Sequence, residues 1–533
     1  MKRIMGLLLI FLLISFSVAC ATSRGGSAQA GLLRIGINAT DMDTLDPHLA
    51  ASFQDRMVAD MVFNGLLRYV PGNAPHFEAD LAEEIPEPVI VDGRQVWTFT
   101  LKKGVYFHSG PNSDAYELTA EDVVYSLQKA ADPRRSAYAG EYAGMIFEQV
   151  DKYRCKIILD KPLSPNLFFP KVADYAGGFI VSSRALRALG DTVFSTHPVG
   201  TGPFTFSSRS PKQQVLLSAH SEYFRSSPRL SGVLILFLPD PIERYEEFTR
   251  GELDLIRAET ENEQRGPFPT DTLVDIFGVP EVALIHFNTK VKPLDDLLVR
   301  QAIAYALDRD AFLAKFPPAT AGNVYAPIPQ KFLPGGLSPK EVKELGLDYP
   351  TDLGKSRALL AAAGYPDGLT LELIGTRLRH VRQNYETLQA QLGRVGIKIN
   401  IKIVDHFQMH RLIRQDLSPI VIYEAWRPNT DVFLSRFFHS ESIVLTGKNP
   451  DTNFSHYEEI DRLILLAREE MNPIKQEKLW EYAQIKLLED MVVYPLHYRN
   501  RVYIRHGYLD YGHALNASMS LYPQITEKTR VLR

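Results

Sequence analysis

The chain has 533 residues, more than one hydrophobic core usually supports, so two or three structural units are expected. Its 59 basic and 63 acidic residues give a formal net charge of −4, which offers no electrostatic basis for binding nucleic acid or an anionic membrane surface. The hydrophobic fraction of 45% and the charged fraction of 23% are typical of soluble globular proteins. The presence of only 2 cysteines excludes a disulfide framework.

Residues 1–20 have the pattern of a targeting segment, with a basic start, an apolar run over residues 6–14 and small residues before Cys20. The run is short for a membrane-spanning helix, which needs roughly 20 residues. An ordinary secretory signal or an uncleaved anchor would share parts of the pattern. The residues that end at Cys20 resemble a bacterial lipobox, which implies cleavage before Cys20 and its acylation. Residues 21–31, rich in Ser, Gly and Ala, would then be a flexible tether.

Folded structure is predicted to begin with an apolar strand over residues 32–37. Alternating apolar residues over 96–107 predict a hairpin strand. Thr119 as N-cap, with Asp122 three residues later, predicts a helix that begins with a capping box. Residues 353–362 are best interpreted as a plain helix.

The segment over residues 282–312 predicts a strand, a short polar turn and a helix. The apolar residues of the helix fall on one stripe, and Asp295 or Asp296 stands where an N-cap belongs. Two amphipathic helices over residues 458–489 precede a second apolar strand at 492–496. One large segment of the chain lies between these two strands. The chain would therefore leave the first structural unit once and return to it once.

Motifs of several enzyme classes are incomplete. The glycines at 200–202 lack the third glycine of a dinucleotide fingerprint, because that place holds Thr205. The segment 354–356 lacks the upstream glycine of a P-loop, and neither G-x-S-x-G nor H-E-x-x-H is present. Cys155 would pack as a small apolar residue, with a catalytic thiol as the alternative. His406 and His410 could pair on a helix, but without a third ligand exposed histidines are expected and no metal site is predicted.

A set of segments, in the same order along the chain, resembles family 5 extracytoplasmic solute-binding proteins, the oligopeptide-, dipeptide- and nickel-binding receptors of ABC importers. The matching segments are residues 44–47 (TLDP), 61–72 (MVFNGLLRYVPG), 108–127, 197–206 (HPVGTGPFTF), 287–309 and 357–373. The resemblance implies an α/β, two-lobed periplasmic-binding-protein fold of type II, in its large three-subdomain variant, with a hinge of two crossing strands.

In this fold the chain would divide as the family does. Lobe I would take residues 32–286, with an inserted subdomain at about 63–176. Lobe II would take residues 287–493, and residues 494–533 would return to lobe I. Closure of the lobes would exclude water from the ligand.

The resemblance also implies ligand contacts, at Asp41, Met42, Tyr138, Trp426, Asn429 and Asp431. In peptide-binding members, an Asp three residues after the Trp neutralises the α-ammonium of the peptide. Here Asn429 stands in that place and carries no charge, so either Asp431 replaces the missing carboxylate or the ligand has no free amine there. Trp426 as a plain core aromatic is the alternative to its role in binding.

The function implied is that of a lipid-anchored receptor outside the cytoplasm, on the periplasmic or outer face of a membrane. It would act as a monomer, bind peptides or peptide-like solutes without chemistry or a cofactor, and deliver them to an ABC permease and its ATPase. Nucleic acid is not an expected partner. A receptor for a non-peptide solute, a sensory receptor of the same fold and an extracytoplasmic hydrolase are the alternatives.

Overall fold

The structure is a computed structural model that describes residues 31–173, 176–258 and 266–532. The predicted targeting segment with Cys20, and the predicted tether except Gly31, lie outside these residues. Among the described residues, no helix combines the length and the apolar character that crossing a membrane requires.

The strands and helices are numbered here in chain order. The strands are β1 Leu32–Ile37, β2 Asn64–Gly65, β3 Leu67–Tyr69, β4 Phe77–Ala79, β5 Val89–Val91, β6 Arg94–Thr100, β7 Met145–Gln149, β8 Arg154–Leu159, β9 Phe179–Ile180, β10 Phe204–Ser210, β11 Gln214–Ala219, β12 Gly232–Phe237, β13 Leu255–Arg257, β14 Thr272–Phe277, β15 Glu281–Phe287, β16 Ala321–Asn323, β17 Leu369–Thr376, β18 Ile397–Val404, β19 Ile420–Trp426, β20 Val493–Arg499, β21 Arg501–His506, β22 Leu509–Asp510 and β23 Arg530–Val531. The helices are α1 Phe53–Val62, α2 Ala120–Ala131, α3 Pro165–Val172, α4 Ser183–Phe194, α5 Pro241–Thr249, α6 Leu297–Ala306, α7 Arg309–Leu313, α8 Pro339–Glu344, α9 Leu353–Ala362, α10 Arg379–Gly393, α11 His406–Arg414, α12 Thr430–Phe438, α13 Asp461–Glu469 and α14 Pro473–Glu489.

A seven-stranded sheet forms the first unit, in the order β10-β11-β12-β1-β13-β21-β14. β1 lies in its middle, parallel to both β12 and β13. β21 comes from the C-terminal part of the chain and inserts antiparallel between β13 and β14. The C-terminal part therefore completes a sheet that the N-terminal part begins.

A four-stranded antiparallel sheet, in the order β16-β20-β15-β19, forms the centre of the second unit. Three of its strands, β15, β19 and β20, are largely apolar and buried because helices α6, α9 and α10 and the β17–β18 pair share one hydrophobic core with them. β19 is an edge strand of this sheet.

The chain passes between the two sheets at residues 278–280, which join β14 to β15, and at Asn500, which joins β20 to β21. A Cβ atom on Gly278 would lie 1.8 Å from the ring of Phe332, so this passage requires glycine. The sequence-based boundaries at 286/287 and 493/494 fall inside β15 and β20. β15 is hydrogen-bonded along its whole length to strands of the second sheet. The chain therefore crosses between the sheets at the two links named above and not at the sequence-based boundaries. The division into lobes stays a prediction.

The inserted part of the first unit begins and ends at one antiparallel pair, β2 with β9. Between them lies a separate sheet, β5-β6-β8-β7, that helix α2 covers. Cys155 is buried in β8, and burial raises the pKa of its thiol to about 12. A neutral thiol is a poor nucleophile, so Cys155 packs as a small apolar side chain and the thiol-enzyme alternative has no support here.

The TLDP segment has a structural role. Lys129 on α2 donates hydrogen bonds of 2.9 and 2.8 Å to the two carboxylate oxygens of Asp46 and one of 3.3 Å to Nδ1 of His48. Nε2 of His48 in turn donates to the carbonyl of Phe179, at 2.9 Å. Asp46, His48 and Lys129 are at most 2% exposed, so each buried charge has a partner that offsets its lost hydration.

Several local predictions are confirmed and some are not. Thr119 and Asp122 form the predicted capping box, and Asp296, not Asp295, caps α6 by accepting a 2.8 Å hydrogen bond from the N–H of Leu298. The strand predicted over residues 96–107 ends at Thr100. The segment that follows α1 forms two short strands, because β2 pairs with β9 and β3 pairs with β4.

Candidate functional site

A cavity of about 720 Å³ opens at the junction of the two sheets. It is bounded by the ends of β13 and β15, the edge strand β19, the link from β20 to β21, and the first turns of α10 and α11. Its lining residues are Arg257, Ala258, Glu281, Lys315, Phe316, Pro317, Leu378, Arg379, His380, Val381, Gln383, His406, Met409, His410, Ile422, Tyr423, Glu424, Arg499, Asn500, Arg501 and Val502. Both units and the crossing at Asn500 thus contribute to one site, and the lining residue Glu281 follows directly after the other crossing.

Positive charge predominates in this lining. Among the described residues of the lining, five side chains are cationic and two are carboxylates, an excess of three positive charges when the histidines are neutral. The cationic residues are Arg257, Lys315, Arg379, Arg499 and Arg501, and the carboxylates are Glu281 and Glu424. A site of this charge favours a ligand that carries at least one anionic group.

The first turn of α10 strengthens that preference. Leu378, its N-cap residue, provides no capping side chain, and residues 378–381 line the cavity. The first backbone N–H groups of any helix have no intrahelical acceptor, and the helix dipole places partial positive charge there. This helix start is therefore suited to accept an anionic oxygen of a ligand, beside the guanidinium of Arg379.

Two ion pairs form the floor of the cavity. Nη1 of Arg501 lies 2.6 Å from Oε2 of Glu281, and Nη1 of Arg499 lies 3.2 Å from Oε1 of Glu424. Burial alone would raise the pKa of Glu281, but Arg501 and the neighbouring arginines outweigh it and lower this pKa. For Glu424 burial dominates, with repulsion from Glu281 added, and the pKa rises to about 7. The protein thus favours the ionised form of Glu281 and disfavours the ionised form of Glu424.

Three histidines lie on one side of the cavity. His406 and His410 are half-buried and not exposed as expected, because their helix α11 packs against the second sheet, and their Nε2 atoms are 3.1 Å apart. Burial and neighbouring Arg499 and His406 lower the pKa of His380 to about 4, and burial with His406 lowers that of His410 to about 4. Within residues 31–173, 176–258 and 266–532, no three His, Cys, Asp or Glu side chains are grouped as a metal site.

The six ligand contacts expected from the sequence lie in three other places. The first place holds Asp41 and Met42: Oδ1 of Asp41 accepts a 2.7 Å hydrogen bond from Nη2 of Arg209, while the side chain of Met42 is 3% exposed and packs in the core. Asp41 and Met42 are not among the lining residues of the cavity.

The second place holds Tyr138 and Trp426, which meet around Arg56 of α1. The hydroxyl of Tyr138 donates to the carbonyl of Ala50, which also accepts a 3.4 Å hydrogen bond from Nε of Arg56. The guanidinium carbon of Arg56 is 6.0 Å from the centroid of the Trp426 ring. The structure therefore brings these two predicted residues together, from the first and second units respectively.

The third place is the start of α12. Asn429 is the N-cap of this helix and accepts a 2.9 Å hydrogen bond from the N–H of Val432. Asp431 accepts two hydrogen bonds from Nε of Arg468, at 2.9 and 3.1 Å. Its negative charge is thus already paired within the protein.

Sequence reasoning did not find the charged residues of the cavity floor. A signal was present, because Glu424 interrupts the apolar strand IVIYEAW and Arg499 and Arg501 flank one residue between two apolar strands. Charges inside strands that are otherwise apolar are costly to bury unless they are paired. The sequence alone does not reveal the partners, because the arginines are more than 70 residues from both carboxylates.

Two sheets joined by two chain crossings, with a charged cavity at the junction, define a two-lobed receptor that holds a small solute. The comparisons with known proteins agree. Residues 76–443, more than half of the chain, match the model of the bacterial extracellular solute-binding proteins, family 5, middle region. The chain therefore belongs to family 5 of the bacterial extracellular solute-binding proteins.

Relatives and solved structures add detail. Heme-binding protein A of Haemophilus influenzae is 27% identical over 454 residues, 80% of each chain. Di/tripeptide-binding protein 2 of Pseudomonas aeruginosa is 27% identical over 403 residues, 70% of this chain and 72% of its own. The structure of MoaA of A. tumefaciens R10 in complex with mannopinic acid is 34% identical, covers 95% of this chain and 100% of its own, and has a TM-score of 0.73.

The family membership confirms the predicted fold class and the predicted receptor function. Members of this family are solute-binding proteins that bind peptides or other small solutes and work with an ABC permease and its ATPase. The family is extracytoplasmic and consists of binding proteins, not enzymes.

Proposed function

We propose that this receptor binds a small carboxylate-bearing solute, a short peptide or a peptide-like conjugate of an amino acid, in the cavity between its sheets. The observation that carries the proposal is the uncapped first turn of α10, which opens into a cavity whose described lining residues carry three excess positive charges. The C-terminal carboxylate of a peptide fits such a helix start, where N–H groups and the Arg379 guanidinium would both donate to it.

The names of the relatives support this ligand class. Several relatives are named as binding di- or tripeptides or dipeptides, which carry a C-terminal carboxylate. A conjugate related to mannopinic acid is the second candidate, because the solved complex with that compound is 34% identical to this chain. In both cases lobe closure over the solute would place its anionic group away from water, where charge-assisted hydrogen bonds are strong.

The cellular setting belongs to the same proposal. The chain would be anchored outside the cytoplasm through acylated Cys20, act as a monomer, leave its solute chemically unchanged and present it to an ABC permease and its ATPase. Tyr138 and Trp426 would contact the solute where the two units meet at Arg56, and Asp41 and Met42 would be further contacts, beside Arg209. The lobe boundaries and these contact residues come from the resemblance to the family.

The ligand class can be tested by calorimetry with trialanine, its C-terminal amide and mannopinic acid. Trialanine or mannopinic acid should bind, and the amide of trialanine should bind at least about tenfold more weakly than the acid, because a hydrogen bond to a charged group contributes about 1.5–3 kcal/mol. Mass spectrometry of solutes that co-purify with the protein would identify the natural ligand.

A matched pair of variants locates the anion subsite. Arg379→Gln should weaken binding of the acid about tenfold or more and leave the amide unaffected, whereas Arg382→Gln, one turn along α10 and paired with exposed Glu386, should change neither. Equal binding of the acid and the amide would contradict the proposal.

A further inference from the structure

Glu424 is the least satisfied carboxylate of the cavity. Its side chain is 13% exposed, and its one hydrogen bond within the described residues is that from Arg499, a 3.2 Å contact to Oε1. Glu281, the other lining carboxylate, is held more tightly, at 2.6 Å, by Arg501. Oε2 of Glu424 therefore remains able to accept from a ligand that enters the cavity.

The carboxylate of Glu281 on the neighbouring strand β15 makes a cation beside Glu424 more favourable. Glu424 pairs with Ala283 and Glu281 pairs with Trp426 across β19 and β15, so both carboxylates project from the same face of the sheet. Repulsion between them, together with burial, raises the pKa of Glu424. A cation placed beside Oε2 would relieve both effects.

The other two positions near Trp426 that the sequence suggested for binding an amine, 429 and 431, are less able than Glu424 to accept a hydrogen bond from a ligand amine. Position 429 holds an uncharged Asn that caps α12. Asp431 already accepts two hydrogen bonds from Arg468 and a contact from the hydroxyl of Ser435, and it does not line the cavity. Glu424 lines the cavity directly.

We propose that Glu424 binds the amine cation of a zwitterionic solute whose carboxylate occupies the subsite at the start of α10. This assignment rests on the proposed function, since it takes the carboxylate end of the same solute as bound near Arg379. It makes Glu424 a specificity-determining residue: solutes that carry both an amine and a carboxylate are selected over simple organic acids. Both subsites then lie in the second unit and its hinge, and closure of the first unit would cover them.

The experiment uses calorimetry with the full mature protein and three probes. Trialanine carries an amine and a carboxylate, propionyl-dialanine is the same molecule without its amino group, and mannopinic acid also carries a basic nitrogen. The wild-type protein should bind trialanine roughly 30-fold or more tightly than propionyl-dialanine, because truncating one partner of a buried charge pair costs about 2–5 kcal/mol.

Glu424→Gln should lose this preference, binding trialanine and mannopinic acid roughly 30-fold or more weakly while binding propionyl-dialanine as the wild type does. Glu424→Asp, which keeps the charge on a shorter side chain, should retain part of the preference. Asp431→Asn, the control at the carboxylate expected from the sequence, should bind all three probes unchanged.

Four outcomes would overturn the assignment. Unchanged binding of trialanine and mannopinic acid by Glu424→Gln would remove Glu424 from the amine subsite, and a selective loss in Asp431→Asn would assign that subsite to Asp431. Equal binding of trialanine and propionyl-dialanine by the wild type would show that no amine subsite exists, whether or not the variants fold. Failure of all three probes would instead overturn the proposed function, and this inference with it.

Discussion

Nη1 of Arg501 lies 2.6 Å from Oε2 of Glu281, and the two residues belong to different sheets. Arg501 is the first residue of β21 and Glu281 the first of β15, so the ion pair joins the two strands beside the two chain crossings. Their side chains are only 9% and 16% exposed. A charge pair in this position ties the two units together at their hinge.

The first prediction concerns this pair. Arg501→Met should lower the free energy of unfolding by about 3–5 kcal/mol, because it leaves the carboxylate of Glu281 buried without its partner. Arg436→Met is the matched control: its Nη1 is also 2.6 Å from a carboxylate oxygen, that of Asp451, but the arginine is 55% exposed. The control should lose at most about 1 kcal/mol in urea denaturation. Equal losses in the two variants would contradict a special role of the hinge pair.

The second prediction concerns Asn429, at the position where the family resemblance implies an Asp in peptide-binding members. Because its side chain caps α12, Asn429→Ala should lower the free energy of unfolding by about 1 kcal/mol, whereas Asn429→Asp should leave it nearly unchanged, since Asp is an equally good N-cap. Thermal denaturation of the two variants measures the difference. A similar loss in both would show that the cap contributes little.

The third prediction is a pH dependence of binding. A raised pKa of about 7 keeps Glu424 largely protonated below neutral pH. The affinity for trialanine should therefore rise about tenfold from pH 5.5 to 7.5, as the carboxylate loses its proton and gains the charge that attracts the amine. The groups facing Glu424 keep their charge over this range: Arg499, Arg501 and Glu281, whose pKa is lowered.

Two of the three histidines that line the cavity support that interpretation. His380 and His410, with pKa values of about 4, stay neutral over the range and do not contribute. Calorimetry at four pH values measures the affinity for trialanine, with Glu424→Gln as the control. The affinity of this variant should not change with pH. A rise of the same size in the variant would assign the pH dependence to another group.

The fourth prediction concerns closure. Two crossings, at residues 278–280 and at Asn500, allow the two units to rotate about a few backbone torsions. Small-angle scattering should give a smaller radius of gyration when the tightest-binding solute of the panel is present at saturation. The control solute is one that calorimetry has shown to bind. If the scattering curve stays unchanged in its presence, closure is ruled out as the mode of capture.

The fifth prediction concerns the predicted anchor. Cys20→Ser should move the protein from the membrane fraction to the soluble fraction outside the cytoplasm, because the acyl chains that hold it are then not attached. Immunoblots of the two fractions measure this, with Cys155→Ser as the control that should stay at the membrane. Retention of the Cys20 variant with an intact N-terminus would indicate an uncleaved anchor.

Local structure was predictable wherever the signal lies within a few residues. The strand at Leu32–Ile37, the helix at Leu353–Ala362 and the capping box of Thr119 with Asp122 follow from periodicity and from side chains that bond their own helix. The family could be recognised because its segments occur in a fixed order. Asp431 shows the limit: the sequence offers it as an ammonium acceptor on the C-terminal side of Trp426, but its ion pair with Arg468 is visible only in the fold.

The sequence by itself determined the family, the α/β class and the two apolar strands, β15 and β20, that lie next to the chain crossings. Only the tertiary structure decided which charges meet. Arg501 and Glu281 are 220 residues apart, and Arg499 and Glu424 are 75 apart. Hydrophobic pattern fixes which face of a strand is buried, but the partner of a buried charge depends on how distant strands are aligned beside it. For that reason the cavity, its excess of positive charge and the place of Glu424 within it emerge only once the sheets are assembled.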